Sequence, residues 1–257
     1  MKKITAYTTL ALMGLLLTTG CNNAKESHNT ENHPKHWGYT TDVGPSHWSE
    51  LSKKCHICSE GKLQSPINIV ASSHINLPPL ALSYTTQATS IIDNGHSVQI
   101  NIANGSTFTI GADKYELKQF HFHTPSENNI NSKSFPLEAH FVHATAEGKL
   151  AVVAVMFEEG ESNPILSKIW GKFPLKRGEK IDFTLTPEDV NALIASNKNY
   201  YKFTGSLTTP PCSEEVKWHV IKKPLTISKA QVKQFFDIYG HTNNRPLQNI
   251  NKRVIEG

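Results

Sequence analysis

Alternating aromatic and histidine side chains in residues 119–123, which read QFHFH, are the strongest constraint on how this chain folds. Successive side chains of an extended strand point to opposite faces of a sheet, so Gln119, His121 and His123 are expected on one face. The phenylalanines between them then face the protein core. Two imidazoles placed in this way can reach one metal ion, but they cannot complete its coordination without a further ligand.

The best third ligand lies in residues 138–143, which read EAHFVH and show the same alternation. Glu138, His140 and Val142 are therefore expected to share one face of a second strand. Three neutral imidazoles with an open fourth position form a catalytic type of zinc site. The spacing predicts that His140 completes such a site with the two histidines of the first strand.

Gln119 and Glu138 each stand two residues before a candidate ligand and on its face of the strand. Both side chains can accept the ring N–H that a zinc-bound imidazole must place somewhere, which fixes the tautomer of the ring. Taken alone, His121 and His123 are sufficiently explained as polar residues of a half-exposed strand. The addition of His140 and of two suitable acceptors favours zinc.

The size and charge of the chain limit the classes of function. With 257 residues and a mass of 28.6 kDa, the chain can form one large domain or two small ones. Its formal net charge of +4 includes Lys2 and Lys3, and without them 24 basic residues face 22 acidic ones. This balance does not favour a nucleic-acid partner.

The first residues have the pattern of an export signal. Lys2 and Lys3 precede an apolar run over residues 10–17 that is too short to span a bilayer, which predicts a signal peptide over residues 1–20. The following LTTGC resembles a bacterial lipoprotein box, with Cys21 as the lipidated N-terminus, although Thr18 stands where leucine is usual. Ordinary secretion is the alternative.

The expected destination is the periplasm or cell envelope, with membrane contact only through a lipid on Cys21. Residues 21–35 are polar and without periodicity, which predicts a flexible tether. A single domain is expected over residues 36–257.

Short strands separated by turn residues dominate this predicted domain. The apolar run of residues 150–157 predicts a central strand buried on both faces. Helices are few, and two helix starts are marked by Thr186-Pro187 and by a capping box of Ser228 and Gln231. The fold class is thus predominantly β (α+β), with short peripheral helices. Further strands are predicted at residues 80–84, 97–101, 107–110, 117–122 and 138–143.

Seven motifs stand in a fixed order along the chain, namely residues 64–69 (QSPINI), 94–96 (NGH), 119–123 (QFHFH), 126–127 (SE), 138–140 (EAH), 205–211 (GSLTTPP) and 243–246 (NNRP). In this order they resemble the α-class carbonic anhydrases of the bacterial secreted type, and the resemblance runs from His36 to nearly the end of the chain. It implies a single domain with a large central mixed, mostly antiparallel sheet, a Zn²⁺ cofactor, and reversible hydration of carbon dioxide. Asn128 departs from the pattern, because some relatives carry histidine there.

The resemblance also implies a role for each site residue. His121, His123 and His140 hold zinc, while Thr208 accepts a hydrogen bond from the zinc hydroxide and donates its own proton to an ionised Glu127. That arrangement aims a lone pair of the hydroxide at the substrate. The residues implied around these are Gln119, Glu138 and Asn243 as orienting partners of the ligands, and Val142, Val152, Leu207, Thr208, Thr209 and Trp218 at the substrate.

Simpler explanations exist for several of these residues. Val152 also fits ordinary core packing, and Asn243, implied as the partner of His123, also fits a polar loop. His96 resembles the proton shuttle of the family, since an imidazole with a pKa near 6.5 takes up and releases protons around neutrality. A turn histidine after residues 94–95 is the alternative.

Four cysteines are present, and Cys21 is assigned to lipid. In related secreted enzymes a cysteine before the QSP motif pairs with one after TTPP, which implies a Cys58–Cys212 disulfide. Cys55 is then either free or paired between subunits of a homodimer. The spacing Cys55-His56-Ile57-Cys58 also occurs in redox motifs and zinc knuckles, but no second pair supports either interpretation.

A second class of function is a catalytically silent binding module on the same fold, as in relatives that lost zinc ligands. The five residues His121, His123, His140, Glu127 and Thr208 are all present, which argues against it. A third hypothesis is esterase activity on larger substrates, as a side reaction of the same site. Sulfonamides and small anions are the inhibitors that the resemblance implies.

Overall fold

Short alternating segments of the chain pair into one large sheet that carries the functional residues. The computed structural model describes residues 36–173, 175–194 and 199–257. The predicted signal peptide, Cys21 and the predicted tether lie outside the described residues. No helix in these ranges is long and apolar enough to cross a membrane.

The strands of the described ranges, in chain order, are β1 (Asn68–Ile69), β2 (Ala81–Ser83), β3 (Ala88–Asp93), β4 (Val98–Ile102), β5 (Thr107–Ile110), β6 (Asp113–His123), β7 (Asn129–Ile130), β8 (Leu137–Ala144), β9 (Leu150–Glu159), β10 (Lys180–Asp182), β11 (Tyr200–Ser206), β12 (Glu214–Ile221) and β13 (Leu225–Ile227). The α-helices there are α1 (Ile57–Glu60), α2 (Pro164–Trp170), α3 (Pro187–Ala192) and α4 (Lys229–Tyr239). Short 3-10 helices cover Thr41–Val43, Pro45–Glu50 and Lys53–Cys55.

The large sheet has the strand order β10–β3–β4–β6–β8–β9–β12–β11, with β5 beside β6, β2 beside β5, and β13 beside β9. Its pairs are antiparallel except where β9 meets β12 and β13. A separate parallel pair joins β1 to β7. The prediction of a predominantly β fold with a mixed, mostly antiparallel sheet is confirmed.

Strand β9 lies at the centre of this sheet between β8 and β12, and apolar clusters cover both of its faces. Val153 and Val155 pack into one cluster, and Val152 and Met156 into the other. Burial on both faces explains why the sequence of this strand is a continuous apolar run. The predicted strands at the other five positions are also present, with somewhat different ends.

Both predicted helix starts are present and capped. Thr186 and Asp189 form a capping box at α3, and Ser228 and Gln231 form one at α4. Helix α2 was not predicted, because it is short and follows closely on β9. Its N-cap is Asn163, whose side chain accepts hydrogen bonds from two backbone N–H groups of the first turn.

Candidate metal centre

The register between β6 and β8 brings the three candidate ligands together. His121 lies directly opposite His140 in this antiparallel pair, and His123 lies opposite Glu138. Residues opposite each other in such a pair point to the same face. One ligand atom from each histidine lies within 4.8 Å of the others, and in the described part of the chain no other group of three His, Cys, Asp or Glu side chains is placed to hold a metal.

Hydrogen bonds fix the orientation of the two rings on β6. Nδ1 of His121 lies 2.9 Å from Oε1 of Gln119, and Nδ1 of His123 lies 2.7 Å from the backbone oxygen of Asn243. Both acceptors require an N–H at Nδ1, which leaves a free lone pair on Nε2 of each ring. Nε2 of His123 is buried without a hydrogen-bond partner.

The ring of His140 is turned the other way. Its Nε2 lies 3.0 Å from Oε1 of Glu138, in an orientation that does not make a regular hydrogen bond. Its Nδ1 faces the site, 3.9 Å from Oε2 of Glu127.

The protonation of the three rings also suits a metal. Burial lowers the pKa of His121 and His140 well below the ordinary value and lowers that of His123. The rings are therefore neutral at neutral pH, which is the form that binds zinc. An orphaned buried nitrogen and three convergent neutral imidazoles fit a zinc ion.

Three hydrogen-bond donors hold the carboxylate of Glu138, which also lies close to His140. Its Oε2 accepts hydrogen bonds from the backbone N–H groups of Glu127 and Asn128, and its Oε1 accepts one from Nδ2 of Asn128, all at 2.8 Å. Oδ1 of Asn128 in turn accepts the N–H of Ile67 at 3.0 Å. Burial raises the pKa of Glu138 to about 7 against these hydrogen bonds. Asn128 thus ties Glu138 to the segment before β1.

Glu127 is fully buried next to the three histidines. Its Oε1 accepts the backbone N–H of Arg245 at 2.9 Å, and its Oε2 lies 3.5 Å from Nε2 of His123. Burial raises the pKa of Glu127 to about 8, while hydrogen bonding from Thr208 and Arg245 lowers it. Oε2 of Glu127 is buried without a hydrogen-bond partner of regular geometry.

Arg245 is a structural partner of the site that sequence reasoning missed, although it lies inside the NNRP motif. Its buried guanidinium donates to Oε1 of Gln64 at 2.9 Å, to the backbone oxygen of Ser65 at 2.7 Å and to that of Cys58 at 2.6 Å. Burial lowers the pKa of Arg245 to about 10, which leaves it charged. Its backbone N–H meanwhile fixes Glu127. The signal available in the sequence was that Arg245 is a charged residue of this motif to which no role had been assigned.

Asn243 meets His123, its expected partner, through the main chain and not through its side chain. The backbone oxygen of Asn243 meets the ring, while its side-chain Oδ1 accepts the N–H of Thr124 at 2.7 Å. Its Nδ2 donates to the backbone oxygens of Phe122 at 2.9 Å and His96 at 3.0 Å. The side chain therefore positions the carbonyl that orients the ligand.

An apolar wall adjoins the three histidines. Val142, Val152 and Trp218 lie in one row across β8, β9 and β12. The indole ring of Trp218 stands edge-on to His140, with ring centroids 4.9 Å apart. Leu207 is partly buried against the same apolar cluster, and Thr209 lies half-buried two residues further along the chain.

His96 is covered by the first described residues. The ring of Trp37 stacks on it at 3.6 Å, and Nε2 of His36 lies 2.9 Å from its Nε2. Burial, followed by the charges of His36, Arg177 and His241, lowers the pKa of His96 to about 4. The expected pKa near 6.5 therefore does not hold for this conformation, because residues 36–37 cover the ring, a long-range contact that no local pattern in the sequence indicates.

Cys58 and Cys212 form a disulfide, as the resemblance implied. Cys55 is a free and buried cysteine.

Comparison with known proteins gives consistent matches. The family model described as eukaryotic-type carbonic anhydrase matches residues 43–257. A carbonic anhydrase of Pectobacterium carotovorum is 45% identical over 220 residues, which cover 86% of this chain and 90% of that protein. The structure of the Photobacterium profundum alpha-carbonic anhydrase has a TM-score of 0.80 at 45% identity, covering 86% of this chain and 100% of that one. An alpha-carbonic anhydrase from Thermovibrio ammonificans, solved in complex with sulfanilamide, has a TM-score of 0.81 at 40% identity, covering 86% and 99%.

Proposed function

This chain belongs to the eukaryotic-type carbonic anhydrase family, zinc lyases that interconvert carbon dioxide and bicarbonate, and from this membership we propose that His121, His123 and His140 hold its zinc ion. The observation that carries the proposal is the convergence of three neutral rings whose ligand atoms lie within 4.8 Å of one another. Zinc bound in such a site lowers the pKa of a coordinated water to about 7 and so supplies hydroxide at neutral pH.

Thr208 and Glu127 are proposed to orient the nucleophile. A hydroxyl group has a single proton, so a Thr208 that donates to Glu127 can only accept from the attacking oxygen. The attacking lone pair is thereby turned away from Thr208 and toward the substrate. Burial raises the pKa of Glu127 to about 8 despite the hydrogen bonds that lower it, whereas a dication held by the three histidines would favour the ionised carboxylate. The N–H of Arg245 supports that form at Oε1.

The apolar wall is proposed as the site of carbon dioxide. Val142, Val152, Leu207 and Trp218 offer no hydrogen bond that a larger polar substrate would use, and carbon dioxide needs none. Trp218 keeps its own indole N–H satisfied by donating to the backbone oxygen of Ser206 at 3.0 Å. The wall thus remains apolar beside His140, and Thr209 is assigned to its edge.

His96 is proposed as the proton shuttle between the site and buffer. With a pKa near 4 beneath Trp37, its ring is neutral and free to take up a proton, but it holds that proton weakly. An imidazole exchanges protons best with buffers near its ordinary pKa of about 6.5. We therefore propose that His96 shuttles protons efficiently when its ring has left the stack with Trp37.

Export and lipid attachment are proposed from the first 21 residues. A disulfide between Cys58 and Cys212 is typical of an oxidising compartment outside the cytoplasm. Lipidation of Cys21 predicts that labelled palmitate is incorporated by the full chain and not by Cys21→Ser. Release of both proteins in soluble form would support ordinary secretion.

Replacement of one ligand tests the proposed centre. We expect His140→Ala to lose nearly all zinc and nearly all hydration activity, with any esterase activity falling in parallel. His56→Ala, at an exposed histidine, is the matched control and should retain both. Full zinc content in His140→Ala would remove that residue from the site. Sulfanilamide, the ligand of the Thermovibrio ammonificans relative, is proposed to inhibit the intact enzyme.

A further inference from the structure

Three cysteines meet in a small apolar cluster that Arg245 links to the candidate metal centre, since Arg245 donates to the backbone oxygen of Cys58 and to Glu127. Cys55, Cys58 and Cys212 are all buried there with Trp48. Cys58 and Cys212 are joined, whereas Cys55 carries a free thiol in the same buried cluster. A free thiol beside a disulfide is the starting arrangement for thiol–disulfide exchange.

The backbone places Cys55 and Cys58 on consecutive helical turns. Lys53–Cys55 is a 3-10 helix, His56 has helical dihedral angles, and α1 begins at the next residue. Side chains three residues apart on a helix have Cβ atoms about 5–6 Å apart. A disulfide requires about 3.5–4.5 Å between Cβ atoms. A small adjustment of this turn therefore suffices to bond the two sulfur atoms.

A polar contact holds the sulfur of Cys55 in place. Oγ of Ser52 donates a hydrogen bond to Sγ of Cys55 at 3.3 Å. A cleft of about 760 Å³ is lined by the segment that carries Cys55 and Cys58 and by both neighbours of Cys212. Its basic residues are Lys53, Lys54, His56 and Lys62, and its acidic residues are Glu60 and Glu214. Solvent thus reaches the elements that hold all three cysteines.

We propose that Cys55 is an internal exchange nucleophile that moves the disulfide of this enzyme from Cys58–Cys212 to Cys55–Cys58. The thiolate of Cys55 attacks Sγ of Cys58, the Cys58–Cys212 bond breaks, and the Cys55–Cys58 bond forms. Sγ of Cys212 leaves as a thiolate and takes up the proton that Cys55 released. The number of disulfides and of thiols is unchanged, so no external oxidant or reductant is consumed.

The exchange acts on the loop that carries Thr208. The N–H of Cys212 donates to the backbone oxygen of Thr209 at 2.8 Å, and the backbone oxygen of Cys212 accepts from Nε2 of Gln64 at 3.0 Å. Cys212 holds a left-handed backbone conformation at φ 58°, which a residue with a side chain rarely adopts. Loss of its covalent bond frees this position to relax. We therefore expect the exchanged form to bind zinc but to hydrate carbon dioxide more slowly.

Mapping of free thiols tests the exchange on the full chain. The protein is held at several pH values, quenched in acid, labelled with a maleimide and digested without reduction for mass spectrometry. We expect the label on Cys212 together with a Cys55–Cys58 peptide. Their initial rate of formation should rise with pH, by about tenfold per unit in the acid range, because the thiolate attacks. Label on Cys55 alone at every pH, with Cys58–Cys212 intact, would overturn the proposal.

Two variants separate the exchange from general damage. Cys55→Ser should keep the Cys58–Cys212 disulfide and never label at Cys212, and Cys55→Ala serves the same purpose if serine is not tolerated in the apolar cluster. Ser52→Ala should slow the exchange several-fold while leaving the disulfide in place. A Cys55–Cys55 dimer on a non-reducing gel would assign this thiol to subunit pairing and reject the proposal. None of these outcomes depends on whether zinc binds.

Discussion

Nδ1 of His123 lies 2.7 Å from the backbone oxygen of Asn243, so a main-chain group orients this candidate ligand. The side chain of Asn243 instead forms three hydrogen bonds to backbone groups of Thr124, Phe122 and His96. His121 is oriented in a different way, by the side-chain amide of Gln119. Two ligands on one strand thus depend on chemically different partners.

Gln119→Ala should weaken zinc binding directly. The substitution removes the acceptor of the Nδ1 proton of His121, and loss of such a partner costs about 10–100-fold in metal affinity. Competition with a chelator measures this affinity. Gln99→Ala is the matched control, because Gln99 bonds to Asn94 and Asn101 and not to a ligand ring. Equal affinity in the Gln119→Ala and control proteins would contradict the assigned role.

Asn243→Ala should act mainly on stability. The carbonyl that meets His123 remains, but the buried N–H of Thr124 loses its acceptor, which costs about 1–3 kcal/mol. We therefore expect a lower free energy of unfolding in urea and a smaller loss of zinc affinity than in Gln119→Ala. The reverse order of the two affinities would show that the side chain of Asn243 has a direct role in orientation.

Asn128→Ala should destabilise the fold around Glu138. The buried N–H of Ile67 and a buried oxygen of Glu138 both lose a partner, for an expected loss of about 2–4 kcal/mol in urea unfolding. Asn249→Ala, at an exposed position, is the control and should change stability by less than about 0.5 kcal/mol. A similarly small change in Asn128→Ala would remove Asn128 from this network.

His96→Ala should slow turnover in weak buffer while sparing the hydration step that isotope exchange measures. Small imidazole buffers should restore turnover by replacing the missing shuttle. Trp37→Ala provides the opposite test, since uncovering His96 brings its pKa from about 4 back toward the ordinary value. We expect this variant to turn over faster than the parent in weak buffer. Unchanged turnover in His96→Ala would remove His96 from the mechanism.

Acid should destabilise the protein through histidines away from the site. Burial lowers the pKa of His143 to about 4 and that of His219 to about 3. The folded rings stay neutral while the unfolded chain binds protons below about 6.5, so stability is full above this pH and is lost as the pH falls toward 4. For His143 the loss is about 3 kcal/mol at pH 4.

Urea unfolding at pH 8 and pH 5 checks this expectation. His143→Gln cannot titrate and should show a smaller difference between the two pH values than the parent protein. His56→Gln, at an exposed histidine, should behave as the parent does. An equal pH dependence in all three proteins would mean that His143 does not contribute to acid sensitivity.

Local sequence patterns predicted much of the fold and the main elements of the site. Alternation alone predicted that His121 and His123 share one face of a strand, and that His140 shares a face of another strand with Glu138 and Val142, because the period of a strand determines which side chains share a face. The cover of Trp37 over His96 and the contacts of Arg245 join residues far apart in the sequence. No local periodicity encodes such contacts, so only the folded chain displays them. Helix α2 was missed because seven residues give little periodic signal.

The same limit applies to the main-chain contact of Asn243. A backbone carbonyl is common to every residue, so no residue type can announce that it will meet His123. The disulfide between Cys58 and Cys212 came from family resemblance, since spacing in the sequence does not determine which cysteines pair.

Zinc content measured together with the rate of carbon dioxide hydration, with and without sulfanilamide, tests the central claim most directly. We expect about one zinc per chain, hydration well above the buffer rate, and loss of that rate on adding the sulfonamide or removing the metal. The His140→Ala protein should lack both metal and activity. A fully zinc-loaded, folded protein without hydration activity would contradict the account and favour a silent binding module.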